Sequence, residues 1–184
     1  MQLWRICKSR FAASAFTGEG ARLYPGRWNP AGVRMVYTSP SLSLAAMEFF
    51  VHLDPSVAPD DLVSCRATIP VDEKTLPRLN LGNLPADWHT TENPTLQSIG
   101  ANWIAAQSSV ALEVPSVAVE GEWNVLLNPT HPDFAKIKLA PPEPFHFDKR
   151  MFKPIPEKGT GNKYPPVPWF RLSIPCLIAT SHPA

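Results

Sequence analysis

The sequence is short of the residues that several common kinds of site require. Its three cysteines, Cys7, Cys65 and Cys176, are odd in number and lie far apart. No Cys-x-x-Cys pair and no cysteine–histidine spacing typical of a metal site is present, so neither a disulfide framework nor a zinc site is predicted. Free core thiols in a reducing cytoplasm are the expectation.

The chain also lacks an excess of one charge and a long apolar run. Its 17 Lys and Arg residues against 16 Asp and Glu give a net charge of +1 over 184 residues. No basic stretch interleaved with aromatic residues occurs, so direct binding to nucleic acid is not expected. No run of about 18 apolar residues is present, and the first 20 residues lack the apolar segment of a signal peptide. These absences predict a cytoplasmic protein without a membrane span.

Two familiar functional motifs are incomplete. Gly18-Glu19-Gly20 has no third glycine at the offset of a dinucleotide fingerprint and no predicted helix after it, so a Rossmann domain is not expected. No Gly-x-Ser-x-Gly elbow surrounds Ser116, and no nearby histidine is placed to activate it. The bend at Pro115-Ser116 instead favours a hydroxyl that positions another group through a hydrogen bond.

What remains is typical of one globular α/β domain. With 44% hydrophobic and 18% charged residues, the chain is long enough to bury a proper core. Apolar spacing predicts a helix that starts near Ser41 and a second helix, capped by Thr95, over 96–104. Alternating and apolar runs predict short strands at 3–7, 33–39, 62–69, 110–114, 117–120, 124–128, 136–139 and 144–148.

Three polar residues lie on successive predicted elements. Arg27 belongs to the glycine-bounded loop Gly26-Arg27-Trp28-Asn29, Tyr37 to the strand at 33–39, and Glu48 to the helix that follows. Consecutive elements are usually neighbours in space, so a cation, a phenol and a carboxylate can converge on one cleft. Such a set suits an anionic substrate that carries a ribose.

Glu48 is the only acidic residue of a helix that is apolar nearly all round, and that helix is predicted to be largely buried. A buried carboxylate needs a partner or a polar cavity, because an unpaired buried ion costs on the order of several kcal/mol. The pattern leaves two alternatives open, a functional carboxylate or a structural pair with an arginine or at a solvated helix edge. Arg27 likewise either stacks on Trp28 with its fork facing a phosphate pair or merely lies over that ring. His131 is expected to cap a turn rather than act as a base.

The composition changes after Phe152. Seven of the 22 prolines fall in the last 32 residues, although the same segment also holds several large apolar residues. We therefore predict a domain at 1–152 and a proline-rich extension at 153–184. The sequence leaves open whether this extension packs on the domain, pairs with another subunit or is an abnormal addition.

A series of short motifs, in a fixed order, resembles the RES domain found as the toxin of bacterial Xre–RES toxin–antitoxin modules. The resemblance covers about residues 2–152, and Val125 stands where the family more often has a tyrosine. The domain is named for an arginine, a glutamate and a serine, which the resemblance places at Arg27, Glu48 and Ser116, with Tyr37 as a further active-site position. The motifs are Trp4-Arg5-Ile6, Gly26-Arg27-Trp28-Asn29, Val36-Tyr37-Thr38-Ser39, Ala46-Met47-Glu48, Val51-His52-Leu53, Val114-Pro115-Ser116, Asn124-Val125-Leu126-Leu127-Asn128-Pro129 and His131-Pro132-Asp133-Phe134.

The resemblance implies a fold and an activity. The fold is that of ADP-ribosyltransferases, a small α/β (α+β) domain with a split mixed β-sheet and flanking helices around an NAD cleft. The activity is cleavage of the nicotinamide–ribose bond of NAD, which arrests growth by depleting the cell of NAD. NAD is then a substrate, and neither a cofactor nor a metal is expected. Water, inorganic phosphate and a protein side chain all remain possible acceptors.

The resemblance also implies roles and partners. Glu48 would bind the ribose and stabilise its positive charge, Arg27 would clamp the phosphates, Tyr37 would stack on nicotinamide or ribose, and Ser116 would orient Glu48 or the nicotinamide amide. Trp28 and Ser39 complete the expected NAD contacts. An Xre-type DNA-binding antitoxin is the implied partner, and the resemblance allows a homodimer within that complex. Two alternatives stay open, a transferase that moves ADP-ribose onto a protein and an inactive RES protein that only binds its antitoxin.

Overall fold

The computed structural model describes residues 1–54, 57–71, 73–90 and 93–152. The predicted extension at 153–184, with Cys176, lies outside the described residues. Seven strands and three α-helices follow one another along the described chain, with short 3-10 turns between several of them. They are β1 (Gln2–Lys8), α1 (Glu19–Leu23), β2 (Val36–Thr38), α2 (Leu42–Phe50), β3 (Leu62–Thr68), α3 (Pro94–Ala106), β4 (Ala111–Pro115), β5 (Trp123–Leu127), β6 (Lys138–Leu139) and β7 (Glu143–Phe145).

The strands form two antiparallel sheets that meet at one point. In the first sheet β3 lies between β1 on one side and β6 and β7 on the other; in the second, β5 lies between β2 and β4. Trp4 and Ser39 join the sheets through two backbone hydrogen bonds of 2.8 and 2.9 Å. The chain thus has the mixed α/β architecture with a split sheet that the sequence led us to expect.

Helix α2 packs on β1 through one face and leaves the other open. The Ser41 hydroxyl accepts a hydrogen bond from the Leu44 amide, which confirms the predicted start of the helix. Met47 and Val51 are 37% and 50% exposed, so the prediction of a helix buried nearly all round was wrong. Burial is instead concentrated on the face that meets an aromatic cluster formed by Phe49, Phe50, Phe145, Phe147 and Phe152.

Several local predictions need correction. Residues 117–120 are not a strand, because the chain after Ser116 turns back at once and the Ser116 amide bonds to the Glu122 carbonyl at 2.9 Å. Helix α3 is capped by Asn93 rather than Thr95, with Pro94 in its first turn. A helix, α1, does follow Gly18, but it has only five residues and does not connect parallel strands, so no Rossmann unit results.

Other local predictions are confirmed. The His131 Nδ1 atom accepts a hydrogen bond of 3.0 Å from the Asp133 amide and caps a short 3-10 turn. Cys7 and Cys65 are buried and form no disulfide, although their Sγ atoms lie 3.9 Å apart on neighbouring strands. Trp103 packs in the core, with only 9% of its surface exposed.

Gly100 allows α3 to pack directly on the loop that carries Arg27. A Cβ atom at this position would overlap the carbonyl oxygen of Trp28 and lie 3.1 Å from the Met35 side chain. We expect Gly100→Ala to lower the free energy of unfolding by about 2 kcal/mol or more, even though alanine favours helices, because overpacking against backbone cannot relax. Chemical denaturation measures the effect, and Gly82→Ala on the surface is the control. Equal stability of the two variants would contradict this packing.

Candidate active site

The Arg27 side chain is fixed by two backbone carbonyls from a distant part of the chain. Its Nη1 atom donates to the carbonyl oxygens of Trp88 at 2.8 Å and Thr90 at 2.6 Å. Among the described residues Nε and Nη2 have no hydrogen-bond partner, so one edge of the guanidinium remains available. Burial lowers the pKa of Arg27, and the nearby charge of Glu48 opposes that shift. The arginine therefore presents donors in a partly desolvated place.

Tyr37 supports the loop that carries Arg27. Its hydroxyl donates to Asn29 Oδ1 at 2.7 Å and accepts from the Trp28 amide at 3.1 Å. Gly26 is needed for this approach, because a Cβ there would lie 2.6 Å from the Tyr37 oxygen. Burial raises the pKa of Tyr37, which keeps the phenol protonated and able to donate. The hydroxyl is thus committed to the loop, while the ring is partly exposed.

Removing this hydroxyl should loosen the loop. In Tyr37→Phe the Trp28 amide and the Asn29 side chain each lose a partner in a partly buried place, which costs about 1–3 kcal/mol of stability. Thermal and chemical unfolding measure the loss, and Tyr24→Phe, a change at an exposed tyrosine, is the matched control. A Tyr37→Phe protein as stable as the control would show that the hydroxyl does not hold the loop.

Glu48 is held by two neutral donors rather than by a cation. Its Oε1 atom accepts hydrogen bonds from the Ser116 hydroxyl at 2.6 Å and from the Asn124 side-chain amide. No ion pair of Glu48 occurs in the described parts of the chain, which excludes the structural arginine pair there. Oε2 forms no hydrogen bond to any described residue. One carboxylate oxygen is therefore anchored and the other is available.

The serine hydroxyl is oriented toward the carboxylate. Ser116 is 3% exposed, and its Oγ atom also accepts a hydrogen bond of 3.0 Å from the Val119 amide. Because that amide occupies a lone pair of the oxygen, the hydroxyl hydrogen is left to bond Glu48. This agrees with the predicted positioning role of Ser116.

His52 is a neighbour of the site that the sequence patterns did not single out. It lies four residues after Glu48, just beyond the end of α2, and is partly buried. Burial lowers the pKa of His52, Glu48 acts against this shift, and Arg27 adds to it. The imidazole is therefore neutral at pH 7. Its spacing from Glu48, about one helical turn, is the signal that could have identified it.

The structure brings most of the predicted site residues together, but not all. Electrostatic interactions link Arg27 with Tyr37 and Glu48, and hydrogen bonds link Glu48 with Ser116. Ser39 reaches Glu48 only through Asn124. Trp28 is 2% exposed and belongs to the hydrophobic core, so its ring does not line the site and does not stack on Arg27.

The sequence of the whole folded region matches a protein-family model, the RES domain, over residues 2–148. The chain belongs to the RES domain family. RES domain relatives align over most of their length: "Toxin Res" of Photorhabdus laumondii is 38% identical over 157 residues, covering 83% of this chain and 98% of the relative. "Toxin Res" of Yersinia enterocolitica is 36% identical, covering 82% and 99%.

A third relative and a solved structure complete the comparison. The "Prs ADP-ribosylating toxin" of a Sphingobium strain is 35% identical and covers 82% of this chain and 96% of the relative. A chain in the crystal structure of the M. tuberculosis MbcT–MbcA toxin–antitoxin complex superposes with a TM-score of 0.59, covering 79% of this chain and 84% of that one. At 16% identity this likeness shows the fold alone.

The arrangement in this RES domain limits what the site can do chemically. An oriented carboxylate with one available oxygen lies near a guanidinium with free donors and a neutral imidazole. Such a set can bind a diphosphate at one end and stabilise positive charge at the other. No group of three His, Cys, Asp or Glu side chains within the described ranges is arranged to hold a metal ion, and no described helix is long and apolar enough to cross a membrane.

Proposed function

We propose that this RES domain is the toxin component of a toxin–antitoxin system and that it cleaves NAD at the nicotinamide–ribose bond. The observation that carries the proposal is the Glu48 carboxylate, held through Oε1 by Ser116 and Asn124, with Oε2 available beside Arg27. Family membership and the names of the relatives support the toxin role.

The reaction is described from the charges that move. When the nicotinamide–ribose bond breaks, its electron pair leaves with nicotinamide, which becomes neutral, and positive charge develops on the ribose. Glu48 Oε2 faces that charge, so the carboxylate stabilises the transition state more than the bound substrate. The free Nε and Nη2 donors of Arg27 bind phosphate oxygens as a fork. Tyr37, fixed by its hydroxyl, offers its ring as a wall for nicotinamide or ribose.

The acceptor then completes the reaction. Water adds to the ribose carbon and loses a proton, giving ADP-ribose, or inorganic phosphate adds and gives a phosphorylated ADP-ribose. The neutral imidazole of His52, near Glu48, is suited to take the proton of water. NAD serves as the substrate, and the chain's own side chains supply the chemistry described.

A second candidate is transfer of ADP-ribose to a protein. The printed name of the Sphingobium relative, an ADP-ribosylating toxin at 35% identity, favours it. The two reactions break the same bond and differ only in the acceptor. NAD labelled in its adenine part separates them, because hydrolysis or phosphorolysis leaves the label in small molecules whereas transfer places it on protein.

The toxin role implies a partner that controls it. We propose an Xre-type DNA-binding antitoxin, as the RES family and the solved toxin–antitoxin complex suggest. The test is inducible expression of the chain alone in bacteria, with cellular NAD followed before growth changes. The proposal predicts that NAD falls first and growth then stops. Arrested growth at constant NAD would reject NAD cleavage, and unaffected growth with soluble protein would reject the toxin role.

A further inference from the structure

The side-chain amide of Asn124 lies between Ser39 and Glu48. Its Oδ1 atom accepts a hydrogen bond of 2.6 Å from the Ser39 hydroxyl, and its Nδ2 atom donates to Glu48 Oε1. Three elements therefore meet in one polar chain, the end of β2, the start of β5 and the middle of α2.

Ser39 determines which way this amide points. Ser39 is 3% exposed, and its backbone is fixed to Trp4 by hydrogen bonds in both directions. Because its hydroxyl donates to Asn124, the amide must direct its oxygen to Ser39 and its NH2 group to Glu48. An amide turned the other way would place an oxygen against the carboxylate.

The second donor to Glu48 comes from the neighbouring strand. Asn124 pairs with Val114 in the β4–β5 ladder, and Ser116 follows directly after β4. The two donors to Oε1 are thus spaced by the sheet rather than by flexible loops. Two donors on the same oxygen fix the rotation of the carboxylate and leave Oε2 pointing elsewhere.

We propose that Asn124 is the positioning residue that aims Glu48 Oε2 at the substrate, with Ser39 setting the orientation of its amide. This inference rests on the proposed NAD cleavage. Asn124 touches Glu48 and not the substrate, so its contribution appears in the rate of bond cleavage rather than in NAD binding.

The kinetic test is Asn124→Ala. We expect kcat for nicotinamide release to fall by about tenfold to a hundredfold, the loss seen when an outer partner that orients a reactive ligand is removed, with KM for NAD unchanged within about twofold. Asn128→Ala is the matched control, since Asn128 is a fully buried asparagine that bonds the Ile104 carbonyl and Thr130. The control should lose thermal stability and retain kcat while folded. An unchanged kcat in folded Asn124→Ala, or a loss confined to KM, overturns the positioning role.

A swap of the two groups tests the contact without relying on the reaction. Asn124→Asp places a second carboxylate against Glu48, so its melting temperature should fall. In the double variant Glu48→Gln with Asn124→Asp, the glutamine amide donates to the aspartate, and Ser39 and Ser116 keep their acceptors. The double variant should regain most of the lost melting temperature while nicotinamide release stays absent. A double variant no more stable than Asn124→Asp overturns the contact.

The two failures are distinguishable. If the wild-type chain releases no nicotinamide but the swap restores thermal stability, the proposed function fails, and the positioning role falls with it although the contact stands. If the wild type releases nicotinamide and the swap restores nothing, NAD cleavage stands and the Asn124 inference is wrong.

Discussion

Glu48→Gln lowers kcat for nicotinamide release by about 100-fold to 1,000-fold, the range found when a preorganised group that stabilises transition-state charge is removed. Glutamine keeps the oxygen that accepts from Ser116 and Asn124 but replaces the available carboxylate oxygen with an amide. The negative charge facing the ribose is lost while shape and packing persist. KM for NAD should change little, because this charge acts mainly at the transition state.

The matched control for this substitution is Glu143→Gln, the same change at an exposed position on β7. It should leave kcat, KM and melting temperature as in the wild type. Comparable rates for a folded Glu48→Gln protein and this control would show that Glu48 is not the group that stabilises the developing charge.

Arg27→Lys raises KM for NAD by about tenfold to a hundredfold, because lysine keeps the charge but loses the planar fork that binds phosphate oxygens in pairs. The effect should depend on the phosphates of the substrate. With nicotinamide riboside, which has none, the variant and the wild type should have similar kcat/KM values. Steady-state kinetics on both substrates measures this difference.

Arg34→Ala is the control for the change of charge, because Arg34 is an exposed arginine paired with Glu19 at 2.8 Å and surface pairs contribute little. An equal loss on both substrates in Arg27→Lys would have another meaning. Arg27 would then act through its hydrogen bonds to Trp88 and Thr90, as the residue that fixes this segment, and not as a phosphate ligand.

The sequence predicted the elements that carry the site because their signals are local. The apolar stripe and the Ser41 cap define α2, and the strand at 62–69 agrees closely with β3. The chain at 117–120 has strand-like composition, but the hydrogen bond from the Ser116 amide to the Glu122 carbonyl turns it into a loop. Helix α1 has only five residues, too few for a periodic pattern to appear.

The site itself depends on contacts between residues far apart in the chain. Ser116 and Asn124 meet Glu48 from 68 and 76 residues away, and Arg27 meets the Trp88 carbonyl from 61 residues away. No local pattern encodes such distances, so the roles of Arg27, Glu48 and Ser116 were approached through resemblance. Asn124 escaped notice as a site residue because a neutral amide in a strand gives no signal until its partners are known.

The most direct test of NAD cleavage by Glu48 uses the purified chain, NAD, and a buffer with or without inorganic phosphate. Nicotinamide release and the ribosyl product are measured together, with Glu48→Gln in parallel. The account predicts one nicotinamide released for each NAD lost, a strong dependence on Glu48, and a small-molecule ribosyl product whose phosphate content identifies the acceptor. Intact NAD after incubation with folded wild-type chain would contradict it.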